Sequence, residues 1–288
     1  MDQLKLKIST RVADDSIRLR QASILRGDET LISRIVHEAF SELALEGTVY
    51  SCPQLKRWIL HKLLRSRVNW LHSEREYFYI AEYMREVAGF AHFIMNQRVA
   101  HLDWIAVVPR FQHKKILTKV LELFRAAAAS RGCHVLTLDV VNENMRLRNW
   151  YKRQGFVETG ETYLYRVTAL PRKDEISAEN MKEICDAFRR VTKSVWYRSF
   201  GFGKSSLEIS GRSVMIGILD ENAQVLTPLT SAVQFETIAQ SMREALGDRF
   251  STVFLRSTIP IPGYTPRQVR IRMTANSMVT GATLERRR

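Results

Sequence analysis

The sequence predicts a mixed α/β protein: a mainly antiparallel sheet flanked by helices over residues 1–170, and a second, smaller α/β domain over 171–288. Three observations lead there. The first 170 residues read in the order ααβββαβαβ, with short strands grouped rather than strictly alternating with helices. The three earliest strand patterns are so closely linked that they form an antiparallel meander. A polar, proline-containing stretch, TALPRKDEIS (168–177), then separates a second set of helix and strand patterns.

The first helix pattern places Leu31, Ile32, Ile35, Val36, Ala39, Phe40 and Leu43 on one stripe at helical spacing, with Asp28 as its N-cap. CPQLKRWILHKLLRS is a second helix, with Pro53 near its first turn. YFYIAEY, VAGFAHFIM and VAHLDWIAVV are aromatic or β-branched and make the meander. KKILTKVLELFRAAAASRG is a long helix closed by Gly132, and CHVLTLDVV is a nearly all-apolar strand of the kind buried on both faces. ENMRLRNWYKRQ is a short basic helix stopped by Gly155, and FVETGETYLYRV is a strand. Beyond the linker, SAENMKEICDAFRRVTKSVW is helical, while SLEISGRSVMIGILD and STVFLRSTI are strands. Ser231 and Gln234 form a capping box that opens a helix closed by Gly247. RQVRIRMTAN is a last strand, with Arg270 and Arg272 on one face. No internal repeat is visible in the residues themselves.

Composition is that of a soluble globular protein: 45% hydrophobic, 26% charged, with no apolar run of membrane-spanning length. The opening MDQLKLKIST lacks a signal-peptide core, and three dispersed cysteines, odd in number, suggest reduced thiols in a cytosol. No Cys/His cluster has metal-ligand spacing. The net charge of +14 is concentrated between Cys52 and Arg153 and at the end of the chain, from Arg256 through ERRR. Such an excess favours polyanionic partners: CoA-like nucleotides, an acidic protein or carrier, or nucleic acid. Nucleic acid is the least favoured of these, because no binding motif or series of stacking aromatics accompanies the charge.

The chemistry concentrates in LDWIAVV, PRFQHKK and the following helix, a strand–loop–helix unit whose helix N-terminus suits an anion. This run resembles the core motif of the GCN5-related N-acetyltransferases (GNAT family), in which an apolar-Ala-Val step leads to Pro, an aromatic, then Arg/Gln-x-x-Gly-x-Gly/Ala. Gln112 stands at the Arg/Gln position, while Lys115 and Leu117 stand where the two glycines are expected. The family also commonly carries Asn, Tyr seven residues on, then Gly-Phe; Asn144, Tyr151, Gly155 and Phe156 occupy those places. The resemblance covers about residues 15–168 and agrees with the order of elements.

The resemblance implies an N-acyltransferase using acetyl-CoA or another acyl-CoA, with direct attack of an amine on the thioester. A splayed strand pair would hold the cofactor. Its pantetheine arm would pair with backbone near Ile105 and Val107, and its pyrophosphate would meet the loop of Gln112, His113, Lys114, Lys115, Leu117 and Thr118. Tyr151 would protonate the leaving thiolate, since a phenol donates a proton while neutral at pH 7. Asn144 would support the site, and Asp103 is the nearest carboxylate for a base. His101, His113 and His134 show no partner in the sequence. The acceptor amine is not legible: Trp58, Trp70 and many bases line the relevant helices without a diagnostic set, though an aminoglycoside, being polycationic, fits poorly. The second domain could shape the acceptor site, mediate self-association or bind a partner.

Glycine serves such a loop by tolerating positive φ and by letting a phosphate approach the backbone. Lys115 and Leu117 forgo the second advantage. If the loop is the first turn of a right-handed helix, φ stays negative and the replacements cost little. Lys114 and Lys115 add cationic charge beside a pyrophosphate. The rival to an enzyme is a catalytically inactive GNAT-like binding or regulatory module that has lost its cofactor. RSFGFGKSS ends in Gly203-Lys204-Ser205 but carries Arg198 where a complete P-loop needs glycine, and is read as a flexible turn.

Overall fold

The structure, a computed structural model, describes residues 16–40, 45, 55–68, 75–167, 178–200, 202–209, 212–219, 222–246 and 252–277. The expected linker, Cys52, Pro53, Trp70, Gly247 and the arginine-rich end lie outside these. Among the described residues no helix is long and apolar enough to cross a membrane.

The chain begins with an edge strand, β1 (Ile17–Gln21), which its alternation of apolar and arginine residues could have announced. Helix α1 (Asp28–Ala39) follows. Its N-cap is Gly27, one residue earlier than expected; Asp28 lies inside the first turn, buried, and accepts two hydrogen bonds from Arg20 at 2.6 and 2.9 Å. Helix α2 (Leu55–Val68) leads to the meander β2 (Arg75–Tyr83), β3 (Glu86–Met95) and β4 (Val99–Val107). Both meander contacts are antiparallel, as the short links require. Helix α3 (Ile116–Ser130) crosses over to β5 (Val135–Val141), parallel to β4. Helix α4 (Met145–Arg153) ends where Gly155, at φ 85°, turns the chain into β6 (Val157–Val167).

The sheet has one helical layer on each side here. Cross-strand partners Phe78 and His92 share one face, where Trp58 of α2 packs. Partners Tyr77 and Phe93 share the other, where Phe124 of α3 packs. Leu136, Leu138 and Val140 of β5 are buried in the core. Thr137 and Asp139 alternate onto the other face, so β5 is not apolar on both sides as its composition suggested.

The second half contains α5 (Ala178–Lys193), α6 (Val195–Phe200), β7 (Phe202–Ile209), β8 (Arg212–Leu219), β9 (Asn222–Val225), α7 (Ala232–Leu246), β10 (Thr252–Ser257) and β11 (Gln268–Asn276). Ser231 Oγ accepts from the Gln234 amide at 3.2 Å, as the capping box predicts. Gly203, Lys204 and Ser205 lie inside β7 and pair with β8, so the P-loop near-match is a strand rather than a turn. A Cβ at Gly203 would meet Val191 of α5 at 2.6 Å, which explains the glycine by helix–sheet proximity.

Strand order is β1-β2-β3-β4-β5-β11-β6-β10-β9-β8-β7. It is a palindrome. Antiparallel β2-β3-β4 with parallel β5 is matched by antiparallel β7-β8-β9 with parallel β10. At the centre the two halves exchange strands: β11 pairs with β5, and β6 with β10. Packing follows the exchange. Ile271 and Met273 of β11 join the first hydrophobic cluster, while Tyr165 and Val167 of β6 join the second. A repeat absent from the residues is thus present in the topology.

Candidate functional site

Strands β4 and β5 pair only from Val99↔Val135 to Leu102↔Leu138. Beyond that point both continue and neither pairs with the other. The cause is local: His92 faces Trp104 and Phe93 faces Leu102, leaving Asp103 as the unopposed residue of a β-bulge. A bulge increases twist and re-aims side chains. It turns the edge carrying Ile105 and Val107 away from β5, so their backbone on that side has no strand partner among the described residues. Gly89 permits the close seating of β3 there, since a Cβ would stand 2.2 Å from the Ala106 carbonyl oxygen.

The strand leads through a short turn at Pro109–Phe111 into the loop. Gln112, His113, Lys114 and Lys115 are exposed, and Leu117 and Thr118 half-buried. The loop is not a right-handed first turn. His113 (φ 71°) and Lys115 (φ 58°, ψ 14°) are both left-handed, so the condition under which φ stays negative and the replacements cost little is not met. The chain holds the glycine conformation at the first glycine position without glycine, at a cost of roughly 1–2 kcal/mol per residue. Leu117 sits within α3, where a side chain is no strain. Lys115 is the N-cap of α3 and no side chain caps it, which leaves the first-turn N–H groups open to an anion. Arg146 of α4 lies 3.3 Å from His113 Nδ1, bringing the start of that helix beside the loop.

Asn144 caps α4, its Oδ1 accepting from the Leu147 amide at 3.1 Å. Tyr151 is 2% exposed, packed edge-on against Trp150 and Phe156 at 5.0 and 5.6 Å. Burial pushes its phenol well above the ordinary range, so it stays neutral.

The opposite face of the sheet carries a polar line that sequence reasoning missed except at Asp103. Lys62 of α2 pairs with Glu76, whose Oε2 lies 3.3 Å from His92 Nε2; His92 Nδ1 lies 2.9 Å from Asp103 Oδ2. His92 is buried, stacked on Phe78 at 4.1 Å. Its burial opposes charge, but Asp103 and Glu76 outweigh that and raise its pKa. Burial likewise opposes the carboxylates; His92 wins at Asp103, whose pKa is lowered, and His92 with Lys62 holds Glu76 at about 2. His101 differs. Burial lowers its pKa despite Asp103, whose Oδ1 is 3.8 Å from Nε2. Thr137 Oγ1 lies 3.5 Å from the Ala100 carbonyl and 2.9 Å from His101 Nδ1; with the hydroxyl donating to that carbonyl it accepts from Nδ1–H, the tautomer in which the Nε2 lone pair is free. The only sequence signal for His92 was an imidazole inside the apolar run VAGFAHFIM.

On this same face, Arg272 pairs with Asp139, its Nη2 2.9 Å from Oδ2. Arg270 lies over the Trp104 ring at 5.8 Å, and Trp104 packs edge-on against Phe40 at 4.9 Å. Arg256 and Arg270 both come from the second half of the chain.

A model of the acetyltransferase (GNAT) family matches residues 38–156, from the end of α1 to the residue before β6. No curated protein matches in sequence. Two solved structures share the fold over nearly the whole chain. One is a tandem GNAT protein from the clavulanic acid biosynthesis pathway (12% identity, 91% of this chain and 98% of that one, TM-score 0.57). The other is a GCN5-related N-acetyltransferase from Sphaerobacter thermophilus (10% identity, 92% and 97%, TM-score 0.56). At these identities the likeness is one of fold, and it extends across the exchanged second half. The splayed strands and the loop both fall inside residues 38–156, the part of this chain that matches the GNAT family.

Proposed function

We propose that the chain is an N-acyltransferase that moves an acetyl or other acyl group from acyl-CoA to an amine. The observation that carries this reading is the open β4 edge beyond Leu102, leading directly into a left-handed, uncapped helix entry. Such an edge offers backbone groups to a pantetheine amide chain, and the helix entry offers N–H groups and positive potential to a pyrophosphate. Ile105 and Val107 would bind the first; Gln112 to Thr118 would bind the second, with Lys114 and Lys115 adding charge.

The amine approaches from the face lined by Asp103 and His101. Asp103 is the weaker proton acceptor, because His92 stabilises its ionised form. His101, neutral at pH 7 with Nε2 unprotonated, is the better base, and Asp103 at 3.8 Å would stabilise the imidazolium that forms. The amine nitrogen bonds to the thioester carbonyl carbon, the C–S bond breaks, and Tyr151 donates its proton to the departing thiolate. Asn144 supports Tyr151 by fixing the start of the same helix.

Release of CoA thiol from acetyl-CoA in the presence of a panel of amines tests the activity. Tyr151→Phe should slow transfer and leave CoA affinity nearly unchanged; a large loss of affinity instead would make Tyr151 structural. The exposed side chain of Lys115 is the feature that favours a non-catalytic module, and a protein that releases no thiol with any amine would be that module.

A further inference from the structure

We propose that Arg256 and Arg270 recognise an anionic group, a carboxylate or a phosphate, on the amine acceptor, so that the second half of the chain sets acceptor specificity for the site in the first. The term acceptor rests on the acyl-transfer reading; the anion site itself does not.

Register places both arginines on the polar face. Arg256 of β10 stands opposite Leu164 of β6, and Arg270 of β11 stands opposite Thr162, two residues along the same strand. Partners across a ladder share a face, as do residues i and i+2. The face continues across β11 and β5, where Arg272 opposes Asp139 and Thr274 opposes Thr137, and reaches His101, which opposes Thr137. The arginines therefore lie on the side from which an amine reaches Asp103 and His101.

Their hydrogen bonds are incomplete. A guanidinium has five N–H donors and cannot shed its charge. Arg270 uses one, from Nε to Gln268 Oε1 at 2.7 Å, with its guanidinium over the Trp104 ring. Among the described residues Arg256 has no hydrogen-bond or ion-pair partner, and Arg270 no ion pair. Neither is exposed, and burial pushes both guanidinium pKa values down, Arg270 further still through Arg256. The neighbouring carboxylates are already taken: Asp139 by Arg272 and Asp103 by His92. Other partly buried arginines here are satisfied, Arg20 by Asp28 and Arg148 by Glu158. Two partly desolvated guanidiniums on one face of the sheet, with unused terminal donors, match the oxygens of a planar carboxylate or a phosphate. An anion there would place the amine of a short molecule toward Asp103, giving two-ended recognition of opposite charges.

Calorimetric titration of the full chain, with and without saturating CoA, tests this with three probes: glutamate, O-phosphoethanolamine and ethanolamine. One or both anionic amines should bind, and which one identifies the anion; ethanolamine should not bind at the same concentration. Arg256→Gln and Arg270→Gln should each weaken the anionic amine about tenfold or more, with Arg256→Lys intermediate. CoA affinity should be unchanged in all three. Ethanolamine binding as tightly as the anionic amines, no binding by either anionic amine, or unchanged affinity in both Gln variants would overturn the proposal. If a variant fails to fold, probe selectivity in the unmodified protein decides. Failure to bind CoA removes the acyl-transfer reading, while the titrations without CoA still decide the anion site.

Discussion

His92 donates from Nδ1 to Asp103 Oδ2 at 2.9 Å, and that bond spans the bulge at which β4 leaves β5. One buried imidazole, whose cationic form Asp103 and Glu76 favour, thus fixes a carboxylate of the site and helps hold the geometry that opens the strand pair.

Removing that cation should be costly. His92→Asn leaves Asp103 and Glu76 without their shared partner, and loss of one member of a buried charged set costs about 3–5 kcal/mol. Chemical denaturation would show it. The sign with pH follows. Glu76 and Asp103, with lowered pKa values, contribute stability present above their unfolded values, 4.5 and 3.8, and lost as pH falls, toward about 2 for Glu76. His92, with a raised pKa, contributes stability present below 6.5 and lost as pH rises through its folded value. The unmodified protein should weaken on both sides of that window, and His92→Asn should flatten the alkaline limb.

The two glycine positions should respond in opposite directions. Lys115→Gly relieves a left-handed residue and should stabilise the fold by about 1 kcal/mol. Leu117→Gly places glycine inside α3 and should destabilise it by about 1 kcal/mol. Thermal melting separates them; stabilisation by both would mean that Leu117 too is strained.

Gly89→Ala should disturb β4 specifically. Its Cβ would stand 2.2 Å from the Ala106 oxygen, a backbone atom that cannot swing aside. A loss of about 1–3 kcal/mol is expected, with CoA affinity falling alongside it. Unchanged stability would show that β3 and β4 are looser than their register implies.

His101→Gln should lower the acyl-transfer rate by about 10²–10⁴-fold. In the unmodified protein the rate should rise with pH to a plateau, with its acid limb below 6.5, because burial lowers the His101 pKa. An acid limb that persists unchanged in His101→Gln would assign it to another group.

Much of the first half was legible because its signals are local. Apolar spacing in 31–40, the tight links of the meander, and Gly132 and Gly155 at helix ends depend on neighbours in sequence. What escaped depends on pairing. The exchange of β6 and β11 is a long-range choice that neither RQVRIRMTAN nor FVETGETYLYRV expresses, although Arg270 and Arg272 do share the expected face. His92 looked like one imidazole in an apolar run because Glu76 and Asp103 reach it from two other strands. The 112–118 segment does join β4 to α3, yet the left-handed φ values of His113 and Lys115 belong to the junction between strand and helix, where side-chain identity is a weak guide.

The central claim is that the β4 edge and the 112–118 loop receive an acyl-CoA, and calorimetric titration with acetyl-CoA at low and moderate salt tests it most directly. Saturable binding, weaker at higher salt because Lys114 and Lys115 contribute by charge, is the expected result. No heat of binding at either salt concentration would contradict it.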